Sequence, residues 1–215
     1  MQAVCKATTL RLDKLHELQG DFFARYPEGF VGSEVPKAAK KYRIDGAVDF
    51  AQKAFAEVQF GKPEFILKSL TQLVSKSSMV FMFDKARFRD SVLSLAPKER
   101  EALVDAVFEL LHGDEQVGFE GVLNQLVALK LGQWPLMSVV PFYFDPHKNW
   151  FIKPNMTKSI LKYFEVDQQI IYQTRPSYAF YQEYRDFLTQ LRDESDPRLG
   201  ENNSAFTGFL AMTIK

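Results

Sequence analysis

The sequence predicts an all-α or predominantly α fold: a single-domain, multi-helix, bundle-like structure over residues 1–215, with one irregular Pro- and aromatic-rich segment around 133–153. Three observations carry this reading. Apolar residues recur at spacings of three and four through most of the chain, the period of one helix face. Prolines stand where helices would begin, at positions whose N–H would lack a partner anyway. Glycines follow the last periodic residue of several segments, where a helix has to stop. A length of 215 residues suits one domain on a prior of roughly 100–200 residues per domain. The 20 Phe and 8 Tyr point to a core built around large rings.

The elements follow in order. Leu15, Leu18, Phe22 and Tyr26 mark a first helix from Asp13, with Asp13 expected to cap its free N–H groups, and Pro27 and Gly29 end it. Residues Gly32 to Gly46 are polar and basic and read as a loop or a short helix. A second helix covers Ala47 to Val58 with Phe50, Ala54 and Phe55 inward, and a third runs from Pro63 to about Val74. Met79 to Leu95 reads as a fourth, although Met79 to Phe83 also suits a strand. The fifth has Pro97 at its head and Gly113 past its end; the sixth runs from about Phe119 to Leu131 and is closed by Gly132. The three prolines of WPLMSVVPFYFDPHKNW argue for a buried loop or short extended segment. Pro154 opens another helix, Gln169 to Gln173 reads as a short strand or linker, and Pro176 begins a long aromatic helix. A turn-rich loop from Asp193 to Ser204 leads to an apolar tail expected to dock on the body. Glu115 to Gly118 is the one candidate for a subdivision.

Composition narrows the function classes. The 27 basic and 27 acidic residues balance, so net charge gives no push toward nucleic acid or an anionic surface. A lone cysteine, Cys5, excludes an intramolecular disulfide framework and a multi-cysteine metal site. The start of the chain lacks the long apolar core of a secretory signal, and no run approaches the roughly 18 apolar residues of a membrane span. A cytoplasmic location and no membrane partner are therefore expected. There is no phosphate-binding glycine loop, no HExxH, no paired CxxC and no GxSxG, and three histidines give little to hold zinc. No cofactor and no metal are expected, with a carboxylate-bound magnesium site left open by the 27 acidic residues.

His147, two residues after Asp145, is the best candidate for a base oriented by a carboxylate, against the plainer reading of a loop histidine. His16 and His112 read as solvated helix residues. Three basic groups stand out: Lys37, Lys40, Lys41 and Arg43; Lys85, Arg87 and Arg89; Lys153, Lys158 and Lys162. On one face they would track a phosphate backbone, with Tyr42, Phe88 and Trp150 stacking on bases if exposed. The plainer reading is the solvated side of amphipathic helices.

The segments DFFARYPEGF, MVFMFDKARFRDSV and QWPLMSVVPFYFDPHKNWFIKPNMTKSILKYF resemble a family of bacterial proteins to which no activity is assigned. The matching residues are Phe83, Asp84, Lys85, Arg89 and Asp90, then Trp134, Pro135, Phe151, Lys153, Pro154 and Thr157. The resemblance runs from about residue 20 to 190 and implies a single domain without adding chemistry. The tail departs from the family pattern: Pro197 and Arg198 remain, without the acidic residue expected after them.

Three functions stay open. The first is a non-catalytic binding or adaptor protein, with nucleic acid among its partners. The second is an enzyme or small-anion site built from Lys85, Arg89, Asp90, Lys153 and Thr157 with His147 nearby, since lysine, arginine and a hydroxyl hold phosphate or carboxylate. The third is a self-associating structural protein.

Overall fold

The computed structural model describes residues 10–31 and 44–214. Ten α-helices lie among the described residues, with no strand: α1 (Leu12–Arg25), α2 (Asp45–Ala54), α3 (Pro63–Lys76), α4 (Met82–Leu93), α5 (Pro97–His112), α6 (Glu115–Ala128), α7 (Trp134–Phe144), α8 (Pro154–Tyr163), α9 (Tyr178–Asp193) and α10 (Asn203–Thr213). The all-α expectation holds, and the segment expected to be irregular is where it fails. Residues 134–144 form α7, and the extended part is confined to the stretch after it. The reason is burial. Nine of its residues, including Trp134, Met137, Val140 and Tyr143, are buried, so the helix is apolar on every side and carries no amphipathic period. Pro135 sits in its first turn, where a proline is tolerated. Pro141 lies inside the helix, and its carbonyl still accepts from the Asp145 N–H at 3.0 Å and from Asn149 Nδ2 at 3.1 Å.

Helices α2, α3, α5 and α6 pack on α7. The closest pair is the α5–α6 hairpin. Asp114 caps α6 by accepting from the Val117 N–H at 3.0 Å. Gly118 faces the backbone of α5 so closely that a Cβ there would overlap the N and Cα of Leu110. The stretch at 115–118 is therefore the first turn of α6 at a tight helix crossing, and one apolar core runs through both sides of it.

Several local expectations shift. Asp13 lies in the first turn of α1 and pairs with Arg11 at 2.7 Å; it does not cap the helix. Helix α2 stops at Ala54, earlier than its apolar pattern suggests. Helix α6 ends before Gly132: Lys130 takes the left-handed turn with φ 59°, and the Leu131 N–H returns to the Leu126 carbonyl at 2.7 Å. His112 is half-buried against the rings of Phe60, Phe108 and Phe144, with Nε2 2.8 Å from the Phe55 carbonyl. Residues 169–173 form no strand. The apolar tail docks as expected, with Phe206, Phe209 and Leu210 buried in α10.

A buried polar network ties the second half of the chain together. Tyr181 donates its hydroxyl to Asn149 Oδ1 at 3.0 Å, and Asn203 Nδ2 donates to the Asn149 carbonyl at 2.8 Å. Arg192 Nη1 donates to the His147 carbonyl at 2.8 Å and to Asn203 Oδ1. One asparagine thus joins α7, α9 and α10. Asn149→Ala leaves the buried Tyr181 hydroxyl without a partner and the Pro141 carbonyl with the Asp145 N–H alone, and lowers unfolding stability by about 2–3 kcal/mol, against about 1 kcal/mol for Tyr181→Phe. Urea titrations read both as midpoint shifts at unchanged slope; equal losses would show that Asn149 is not the hub. Gly118→Ala overpacks the hairpin and costs about 2–3 kcal/mol. Gly20→Ala, in α1 with open space around it, adds about 0.5–1 kcal/mol by helix propensity.

Candidate functional site

Helix α4 breaks the pattern of the other helices. Only Phe88 and Val92, four residues apart, are buried, and they form a narrow stripe in the helix that packs on α3. Its remaining large apolar side chains point outward: Phe81, Met82 and Phe83 are 65%, 69% and 65% exposed, and Leu93 is exposed too. The Phe81 and Phe83 rings touch, with centroids 5.4 Å apart. Three consecutive residues at the head of a helix fan out around its end, so they form a ridge that no single neighbouring helix covers. The link before the ridge is held firmly. Ser77 Oγ lies 2.9 Å from the Tyr143 hydroxyl in the core and accepts from the Met79 N–H at 3.1 Å.

The cations of α4 stand beside the ridge. Lys85 is half-exposed, and Arg87 donates to the Lys130 carbonyl at 3.4 Å, at the negative end of α6. Neither has an ion pair among the described residues, whereas Arg89 is paired with its neighbour Asp90 at 2.9 Å. Phe88 and Trp150 are 4% and 1% exposed, so neither offers a face for a base to stack on. Lys37, Lys40, Lys41, Arg43, Tyr42 and Cys5 lie outside the described residues.

The second group sits elsewhere. Lys153 immediately precedes α8, and Lys158 and Lys162 lie on its exposed face; none of the three has an ion pair among the described residues. Lys158 Nζ lies over the Tyr172 ring at 4.9 Å. Lys153 and Thr157 line a cleft of about 330 Å³ between α8, α9, α10 and the link before α4. Its apolar bed is Met79, Phe151, Met156, Ile160, Leu188 and Ala211. Lys85, Arg89, Asp90 and His147 do not line this cleft. His147 is exposed and acts through its main chain: its N–H and that of Lys148 donate to Asp145 Oδ1, both at 3.1 Å, and its carbonyl receives Arg192. Asp145 is thus an Asx-type turn residue here. The ridge and the apolar bed both escaped sequence reasoning, because each is made of letters that normally signal core.

One charged cluster was also missed. Glu115, in the first turn of α6, receives Arg185 at 2.5 Å, Lys148 at 3.2 Å and the Tyr178 hydroxyl at 3.3 Å. Burial pushes the Glu115 carboxyl up, but the bond and charge of Arg185, with Lys148, outweigh it and hold the group below its ordinary value. A carboxylate neutralised by two cations is a poor base; this one clamps α6 to α9.

Among the described residues no group of three or more His, Cys, Asp or Glu is placed to hold a metal ion, and no helix is long and apolar enough to cross a membrane. The chain matches no family model, no curated protein and no solved structure.

A depressed carboxylate contributes stability that is complete above its unfolded pKa, here 4.5, and lost as pH falls through the folded value. Thermal stability should therefore fall below about pH 4.5, and Glu115→Gln should flatten that acid limb. Asp13 and Asp196, held low by bonds from Arg11 and Arg198, supply the limb that remains. An unchanged limb in Glu115→Gln would remove Glu115 from the account.

Proposed function

We propose that the chain is a non-catalytic adaptor that docks another protein through the ridge at the head of α4. The observation that carries the reading is the outward display of Phe81, Met82 and Phe83 on a helix anchored by two buried residues. Exposed apolar clusters of this kind mark interaction sites when they are contiguous. Phe, Met and Arg are the residues enriched at protein interfaces, and here two phenylalanines and a methionine stand beside Arg87 and Arg89. Lys85 and Arg87, without an ion pair among the described residues, suit a partner whose apolar pocket is rimmed by carboxylates.

The non-catalytic part rests on chemistry. The ridge brings no nucleophile beside a base, and the cleft lining holds no His, Cys, Asp or Glu. Phe81 and Phe83 also keep a single-stranded nucleic acid in play, as exposed rings beside cations, in place of the buried Phe88 and Trp150.

A photoreactive benzophenone side chain at position 83 tests the reading in cells of the source organism. The expected product is an adduct with a different polypeptide, lost in Arg87→Glu and absent when the probe replaces Val58, which is 81% exposed but remote in sequence from the ridge. A nuclease-sensitive adduct would move the function to nucleic acid. An adduct only with a second copy of the chain would make the ridge a self-association surface, and equal labelling from both positions would sink the proposal.

A further inference from the structure

We infer that the cleft between α8, α9 and α10 binds a small amphipathic carboxylate, with its alkyl tail on the apolar bed and its head at Lys153. The site is separate from the ridge, and the inference does not depend on the adaptor reading. At about 330 Å³ the cleft lies near the lower end of ligand pockets, which run roughly 300–1,000 Å³. That is the space of roughly eleven water molecules at about 30 Å³ each, enough for a ligand of some ten non-hydrogen atoms.

The lining sets the class of ligand. Met79 and Met156 stand at the bed with Phe151, Ile160 and Leu188, and unbranched methionines adapt to an alkyl chain of variable shape. Lys153 is the single charged residue of the lining, is exposed, and has no ion pair among the described residues. Helix α8 carries no Asp or Glu, and Lys158 and Lys162 on its outer face extend the positive field. Lys153 also stands at the N-cap of α8, where no side chain caps the first-turn N–H groups. Those donors add to the preference for a negative head at the same rim. Thr157 and Tyr184 each bring a hydroxyl to the lining, so the wall is polar there without being charged. One cation at the rim of an otherwise uncharged cleft selects a singly charged head with a short tail.

Octanoate is the probe, with 1-octanol as its uncharged counterpart, and amide NMR of the isotope-labelled full chain is the readout. Octanoate should shift the amides of Met156, Thr207 and Ala211 saturably. Lys153→Met should weaken octanoate roughly fivefold, the scale of an exposed ion pair, and leave 1-octanol unchanged. Ser159→Trp, at an exposed rim position, should abolish the binding of both by filling the mouth. Shifts that do not saturate, shifts centred on Phe81 to Phe83, or 1-octanol binding as tightly as octanoate would each overturn the inference.

Discussion

A helix that is apolar on every side has to be covered on every side, and α7 imposes that condition on the rest of the molecule. Trp134, Met137, Val140, Phe142 and Tyr143 leave no face for water, so α2, α3, α5 and α6 supply walls around it. Rings from later in the chain close what remains: Phe180 lies against Trp134 at 5.2 Å, and Phe151 against Phe142 at 5.8 Å. The few polar groups drawn into this core have to be satisfied there, since an unpaired buried donor is costly. Ser138 meets that demand twice, donating to the Trp134 carbonyl and accepting from the Ile152 N–H. The chain after α7 is thereby held to it by hydrogen bonds as well as by packing.

The outer helices were legible because each has a wet side. The pattern of α5, with Pro97 at its head and Gly113 after its end, is readable because Lys98, Glu101 and Asp105 face solvent while Leu103, Val104, Val107 and Leu110 are buried. Glu99 adds a receptor for the Ala96 N–H at 2.8 Å, a start signal written in sequence. The same reasoning fails on α7 for a physical reason. Periodicity reports a difference between two faces, and a fully buried helix has none. Prolines then weigh too heavily, although Pro135 occupies a permitted first turn and Pro141 still keeps its carbonyl bonded.

Of the site residues, Lys153 and Thr157 were legible as a helix-start pair and do share a cleft. Its bed was not legible, because Met79, Phe151, Leu188 and Ala211 come from distant parts of the chain and meet only in the fold. The ridge was hidden differently. Phe81, Phe83 and Phe88 are the same letter within eight positions, yet the first two are 65% exposed and the third is buried. Hydrophobicity predicts burial only where a partner face exists, and α4 finds one only for the stripe of Phe88 and Val92.

Rigid presentation of the ridge and the cleft would lower the cost of the binding proposed at each. Binding loses affinity when loose groups must be ordered first, so a surface fixed in advance binds at lower entropic cost. Tyr143, itself buried in the core, fixes Ser77, and Ser77 fixes the Met79 N–H. Two residues later Phe81 begins the ridge, while Met79 turns into the cleft wall. The central helix that forces the fold to close around it therefore also anchors the short link from which both surfaces are displayed.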